Sequence, residues 1–349
     1  MRIKGEDKLL PVASVGSWPR PTWMEGKVFG TVSDPDYPNF KTRERFEDCV
    51  RLCIQEQEML GMDVISDGTQ YHEGGTPFDY EVTFHHIPTR IAGTVPHGSF
   101  VPLPGWEKYN LITVVDELEW VRPIFGPVME TVSKFTKGPR KLTVFSPAGQ
   151  VLFLDDKHYK DPEALAFAVA KIYNTEIKDL VARDLVDIVQ FVDLTASYTA
   201  APYTADVFNA AIEGVGCDTW LHACQGNAGD RFYVDGTTEF IFPRIYDYKA
   251  TQLHIAMGHH LRAGDLEWLQ KYEPPAALMF GAGVVDVKDP TPEKVDEIVA
   301  RIERVLKVLP VEKVTLMPDC GWMNRRRDTV HDKNLALVAA ADIVRGRYS

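Results

Sequence analysis

The sequence predicts an α/β protein, a single (β/α)8 TIM barrel with a long insertion after its second strand. Short runs of β-branched and apolar residues alternate with amphipathic stretches from end to end, the pattern of a parallel sheet covered by helices. Eight such runs occur in 349 residues, the number that closes a barrel. No linker, low-complexity stretch or internal repeat divides the chain, so residues 1–349 read as one domain.

The strands are expected at residues 9–18, 62–70, 141–148, 185–194, 218–227, 251–258, 276–286 and 313–322. The helical signal is strongest over 292–309, where Val295, Ile298, Val299, Ile302, Val305, Leu306 and Leu309 form one stripe. Thr291 is its expected N-cap and Pro310 ends it. Residues 42–60, 162–183 and 334–345 repeat the pattern. Residues 71–115 break it, being rich in Pro, Gly, His and aromatics without a sustained period. A connection this long is expected to be a lid or binding loop. Following the second strand, it would cover the C-terminal mouth, where barrel enzymes place their active sites. Tyr71, His72, His85, His86 and His97 lie in it as candidates to reach that site or carry protons.

Composition narrows the partners. A formal charge of −12 would repel nucleic acid and anionic membranes. No apolar run approaches the ~20 residues that span a bilayer, and the N-terminus lacks an apolar signal core. The expectation is a cytoplasmic protein acting on small molecules, with homo-oligomerisation left open. Five cysteines, an odd number at low density, suit a reducing compartment. Cys49 and Cys53 share a helical face with Phe46 and read as small buried hydrophobes. Cys217 has no partner at ligand spacing, which leaves Cys224 and Cys320.

Three expected strand ends carry polar motifs: Val15-Gly-Ser17-Trp-Pro-Arg20, His222-Ala-Cys224-Gln-Gly-Asn227 and Pro318-Asp-Cys320-Gly-Trp322. Residues two apart on a strand point to the same side, so His222 and Cys224 can face one point. Cys320, about a third of the way round the ring, can converge on it. One imidazole and two thiolates suit tetrahedral zinc and leave one coordination position open, as catalytic zinc requires.

Together with Ser66-Asp67-Gly68 and Gly283-Val-Val-Asp286, these motifs occur in the order found in the cobalamin-independent methionine synthases. The chain resembles their C-terminal catalytic domain over about residues 9–346. The resemblance implies zinc on His222, Cys224 and Cys320 and a thiol acceptor; the donor expected with them is a folate, a corrinoid or a small methyl donor. The resemblance also implies a substrate site drawing on Ser17, Trp18, Arg20, Asp67, Thr69, Asp193, Asn227 and Trp322. Trp18 and Trp322, on neighbouring strands, either form an aromatic wall for a flat donor or pack in the core or rim.

The chain departs from that family in two places. Where a methionine synthase carries a glutamate as fourth zinc ligand, this sequence has Ala256. His254, His259 and His260 are the nearby candidates to replace it. The alternative is three protein ligands, as in epoxyalkane:coenzyme M transferase of the same superfamily. Thr69 stands in place of a second glutamate, and the segment after Asp193 lacks the expected acid. An ammonium group would miss its counter-charges, at a cost in a closed site. The expected acceptor is therefore a small thiol other than homocysteine. Loss of one carboxylate also makes the bound thiolate less activated, which calls for a more electrophilic donor or acid assistance. Arg325, Arg326 and Arg327 either clamp an anionic substrate group or open a solvated helix.

The function expected is zinc-dependent alkyl transfer, most simply methyl transfer, to a small thiol. Two alternatives stand beside it: C–S bond chemistry of the epoxyalkane:coenzyme M transferase type, and a metal-free decarboxylase or binding protein of the uroporphyrinogen decarboxylase type.

Overall fold

Seven of the eight expected runs form hydrogen-bonded parallel strands. The computed structural model describes residues 2–3, 6–24, 40–70, 90–96, 112–198, 201–227, 232, 237–262, 264–322 and 325–348. A two-residue antiparallel pair, β1 (Arg2–Ile3) and β2 (Glu6–Asp7), precedes the main sheet. The parallel strands are β3 (Ile65–Ser66), β6 (Arg140–Phe145), β8 (Ile188–Asp193), β9 (Asp218–Ala223), β10 (Gln252–Ala256), β11 (Met279–Val285) and β12 (Val314–Pro318). They lie in the order β12-β11-β10-β9-β8-β6-β3. Each is shorter than the apolar run that announced it, and after β3, β9 and β12 the final residues of the run turn out of the sheet. Those turns carry the polar motifs.

The first expected strand, residues 9–18, forms single bridges instead of a ladder. Val12 pairs with Leu316 of β12, and Ala13 pairs with Val64 beside β3, both in parallel sense. Ala13 N–H donates to Leu316 O (3.0 Å), Leu316 N–H to Pro11 O (2.8 Å) and Asp63 N–H to Val12 O (2.9 Å). Residues 11–13 therefore touch both outer strands of the sheet.

Helices pack over the sheet by their apolar stripes. The longest are α1 (Phe40–Met59), α4 (Pro162–Ala182), α8 (Val295–Leu306) and α9 (Arg327–Arg345); between α1 and α4 lie α2 (Gly126–Phe135) and α3 (Pro147–Val151), and between α4 and α8 lie α5 (Thr195–Tyr198), α6 (Thr204–Ile212) and α7 (Leu266–Lys271). α8 buries Ile298, Val299, Ile302 and Val305, as its period predicts. It starts at Val295 with Lys294 as N-cap, one turn later than Thr291 would have placed it. α9 starts seven residues earlier than its apolar period. Phe46, Cys49 and Cys53 are buried together on α1, and no cysteine is in a disulfide.

The insertion, which shows no sustained period in sequence, is bounded by strands. Its described ends form β4 (Ile91–Pro96) and β5 (Ile112–Trp120), an antiparallel pair to which β7 (Leu154–Asp156) adds in parallel. The register shifts between Ala92 and Thr94, where Gly93 adopts φ 84°, a bulge that no longer side chain would fit. Tyr71, His72, His85, His86 and His97 lie outside the described residues. No helix among the described residues is long and apolar enough to cross a membrane.

The turn after β3 has its own constraint. Gly68 has φ 64°, and a Cβ there would meet Cys53 Sγ at 2.3 Å and Trp18 Cβ at 2.7 Å. Gly68→Ala is expected to lower unfolding stability by about 2–4 kcal/mol, from overpacking plus left-handed backbone strain. Chemical denaturation measures it, and a loss below 1 kcal/mol would mean the turn relaxes freely.

Candidate metal centre

β9 delivers His222, which is almost fully buried, and the chain leaves the strand at Cys224, also buried. β12 delivers Cys320 two residues past its last strand residue. The ligand atoms of these three residues lie within 4.8 Å of one another. Cys224 Sγ is 3.8 Å from Cys320 Sγ, and Cys320 Sγ is 3.5 Å from His222 Nε2. A disulfide would need ~2.05 Å. Tetrahedral zinc with ordinary bond lengths separates two sulfurs by about 3.8 Å, and sulfur from nitrogen by about 3.6 Å. The donor set fits that ion, and the Cys224–Cys320 and Cys320–His222 separations match its spacing.

The two thiols share a proton. Cys224 is raised well above the ordinary thiol range by its hydrogen bond to Cys320 and by burial. Cys320 is pulled well below it, first by the hydrogen bond from Cys224 and also by His222.

The loops around the ligands are tied by hydrogen bonds. Asn227 Nδ2 donates to Gly321 O (2.9 Å), joining the turn after β9 to the turn after β12. Asp319, beside Cys320, turns away from the cluster and accepts from the backbone N–H groups of Met257, Gly258 and His259 at 3.0, 2.7 and 2.8 Å. Burial pushes its carboxyl up to about 7 against those bonds.

The fourth-ligand candidates take other places. His254 faces away from the sulfurs. Its Nδ1 is 2.6 Å from His222 Nδ1, and its Nε2 donates to Pro318 O at 3.0 Å, so both nitrogens are engaged. Burial, then the neighbouring His222, hold its pKa well below the usual histidine range. His259 accepts from Leu261 N–H through Nδ1 (3.1 Å) and stacks on the exposed His260 at 4.2 Å. Neither belongs to the metal-capable group found among the described residues.

Several expected substrate residues are built into the walls. Trp18 donates Nε1–H to Glu56 of α1 (2.6 Å), and Trp322 is fully buried, so the two form no open aromatic wall. Arg20 donates to Gln70 O (2.7 Å). Ser17 O accepts from Trp322 N–H (2.8 Å), and its hydroxyl lies where a Cβ on Gly321 would fall. Asp67 is buried and acts electrostatically on Lys141 and Cys53. Thr69, at φ 53°, completes the left-handed turn with Gly68. Asp193 accepts from Thr195 Oγ1 (2.6 Å) and Ala196 N–H (3.0 Å), and burial raises its pKa.

The arginine run opens a helix and does not converge on one anion. Arg325 donates to Val287 O and Lys288 O (2.5 and 2.7 Å). Arg326 pairs with Asp328 at the surface. Arg327 pairs with Glu56 and donates to Pro19 O (2.7 Å). The spacing of three arginines carried no information about their partners, which come from distant parts of the chain.

Two features were not read from the sequence. Lys288 is buried; its ammonium donates to Gly226 O (2.9 Å) and Asn227 Oδ1 (3.4 Å) and lowers the pKa of both cysteines. It follows the Gly283-Val-Val-Asp286 motif by two residues, the signal that pointed toward it. Phe145, Phe153 and Leu194 pack against Cys224 and Cys320 as an apolar wall. Phe145 and Leu194 lie at strand ends far apart in sequence, and only the sheet order brings them together.

Residues 198–343 match the family described as cobalamin-independent synthase, catalytic domain, a span that includes all three candidate ligands. The chain is 29% identical to 2-hydroxypropyl-CoM lyase of Xanthobacter autotrophicus over 377 residues, covering 100% of this chain and 98% of that protein. It is 28% identical to a methionine synthase of Saccharolobus solfataricus over 351 residues, covering 97% and 95%. In fold it is similar to a B12-independent methionine synthase from Shewanella sp. W3-18-1, solved with selenomethionine, at TM-score 0.81 and 24% identity over 98% of this chain and 99% of that one. A Listeria monocytogenes structure described as a vitamin-B12-independent methionine synthase superposes at TM-score 0.70 and 16% identity, over 97% and 99%.

The thiol pKa order has a direct readout. In metal-free protein near pH 7, iodoacetamide is expected to modify Cys320 first, because thiolate is the reactive form. Cys49 and Cys217, pushed by burial to about 12, should remain unmodified until the chain unfolds. Peptide mapping after short labelling checks this, and labelling of Cys49 ahead of Cys320 would contradict it.

Proposed function

We propose that this chain, a homologue of the cobalamin-independent methionine synthases and of 2-hydroxypropyl-CoM lyase, is a zinc-dependent thiol alkyltransferase, with methyl transfer to a small thiol its most direct form. The observation that carries the reading is the convergence of His222, Cys224 and Cys320 beyond two C-terminal strand ends of a parallel sheet, where α/β folds bind ligands. These three residues would hold the ion. Zinc bound there would lower the pKa of an incoming thiol and fix its sulfur for attack on an electrophilic alkyl carbon.

The remaining residues supply the setting. Phe145, Phe153 and Leu194 keep water from the sulfur side of the centre. Lys288 places a positive charge beside a thiolate-rich cluster and offsets part of its charge. Ala256 lies two residues past His254, which is in register with His222, so it stands level with Cys224 and contributes no ligand atom. The fourth position is then left to a substrate sulfur.

Homocysteine fits this setting poorly. Thr69 carries no charge, Asp193 accepts from Thr195 and Ala196 through Oδ1, and Asp67 acts on the buried Lys141. An ammonium group would lack the counter-charge that a glutamate at Thr69 would supply. The alkyl donor belongs to the folate, corrinoid or small electrophile classes. The same reading takes the sheet as a closed eight-membered barrel, with residues 11–13 as its eighth member and 71–115 as a lid on one cytoplasmic domain. The backbone bonds of 11–13 to both outer strands support the closure.

A second reading, C–S bond formation or cleavage of the epoxyalkane:coenzyme M transferase type, draws support from the three-residue ligand set and from the full-length match to 2-hydroxypropyl-CoM lyase. The two readings share the metal centre and divide on the donor.

Metal analysis by mass spectrometry is expected to find about one zinc per chain in wild type and a loss of most of it in Cys320→Ala. Zinc-loaded protein should then alkylate a small thiol faster than homocysteine, with a methyl donor under the first reading and an epoxide under the second. Absence of zinc from protein prepared without chelators would overturn both and leave the metal-free decarboxylase or binding reading.

A further inference from the structure

We propose that His254 is a positioning residue that sets the tautomer of His222, so that the Nε2 lone pair of His222 is the one presented to the metal position. The inference rests on the reading of His222 as a ligand, and it concerns a residue that ligates nothing itself.

The argument runs along one chain of hydrogen bonds. Pro318 O has no proton to give, so the 3.0 Å contact requires the N–H of His254 to be on Nε2. His254 is fully buried, and among the described residues no carboxylate lies within ion-pair distance of its ring, so it carries a single N–H. Its Nδ1 is therefore a bare acceptor. The 2.6 Å contact between the two Nδ1 atoms then requires the N–H of His222 to be on Nδ1. That fixes the Nδ1 proton of His222, and Nε2, 3.5 Å from Cys320 Sγ, is the nitrogen left to give up any proton to a metal ion. Metal-ligating histidines ordinarily gain this definition from a carboxylate or carbonyl acceptor. Here a second imidazole relays it from a carbonyl two residues before Cys320.

Packing holds the relay in place. His254 is in register with His222 on one side and with Gly281 on the other. A Cβ at Gly281 would come within 3.0 Å of His254 Cβ and Cδ2 and 2.8 Å of Met317 Sδ. The missing side chain lets the His254 ring lie across β11 and reach the end of β12. One strand end therefore sets both the position of Cys320 and, through His254, the protonation pattern of His222.

Long-range proton–nitrogen NMR on histidine-labelled, metal-free protein reads tautomers directly, with His222→Gln and His254→Asn giving assignments. Wild type is expected to show His222 protonated at Nδ1 and His254 at Nε2. His254→Leu removes the acceptor, so His222 should shift toward the Nε2–H form, and zinc affinity, by chelator competition, should fall by about 10- to 100-fold. His254→Asn keeps an oxygen near the Nδ1 position and should recover much of that affinity. Should His254→Leu fail to fold, the wild-type spectrum and the Asn variant still decide. His222 protonated at Nε2 and bare at Nδ1 in wild type, or wild-type affinity in a folded His254→Leu, would overturn the proposal. Wild type that binds no zinc but has the expected tautomers would instead remove the metal reading and leave the relay standing.

Discussion

Two buried sulfur atoms 3.8 Å apart are the constraint on which the rest of this site depends. If both were ionised without a counter-charge, their repulsion would be about 4 kcal/mol at an effective dielectric of about 20. The protein meets this in two ways. Alone, the pair keeps one proton, held on Cys224 and denied to Cys320. With a divalent cation between them, both thiolates are neutralised and the sulfurs need not move, because their separation already fits tetrahedral coordination. Lys288 adds a smaller, fixed positive charge that favours ionisation in either state.

Holding like groups together takes rigidity, and the backbone supplies it at the strand ends. Asn227 ties the turn after β9 to Gly321, next to Cys320. Asp319 binds three successive N–H groups of the turn after β10. Trp322 N–H bonds Ser17 O, joining the turn after β12 to the 9–18 segment. Each tie crosses between strands distant in sequence, so the ligand geometry depends on the sheet as a whole and on no single loop. Buried polar groups satisfied in this way fix one arrangement, where an apolar contact would tolerate several.

The sheet interior continues that pattern. Lys141 is fully buried, with its Nζ on the carbonyls of Ser14 and Val15 and on Gln190 Oε1; burial holds its pKa well below the usual lysine range, and Asp67 opposes that shift. Gln252 accepts from Thr315 Oγ1 (2.8 Å), one step below His254 on the same face of β10. Charged and polar residues that look available for substrate when read in sequence are in large part the mutual partners that let a polar interior be buried. Asp67, Arg20 and Asp193 belong to this group, and the charge they carry serves the scaffold first.

What the sequence determined by itself was whatever has a short period or a local rule. The β/α alternation located seven parallel strands within a few residues, and the stripe of 295–306 located α8. The two-residue spacing of His222 and Cys224 announced a shared face, because alternation along a strand is a local property. Motif order then joined Cys320 to them across 96 residues. Tertiary structure alone decided which groups are left over after the fold has used the others. It turned His254 onto Pro318 and away from the sulfurs, spent Arg325 and Arg327 on carbonyls and Glu56, and brought Lys288, Phe145 and Leu194 to the cysteines. A hydrogen-bond partner is chosen by distance in space, and the distances that mattered here are set by strand order and register, which no local window of sequence contains.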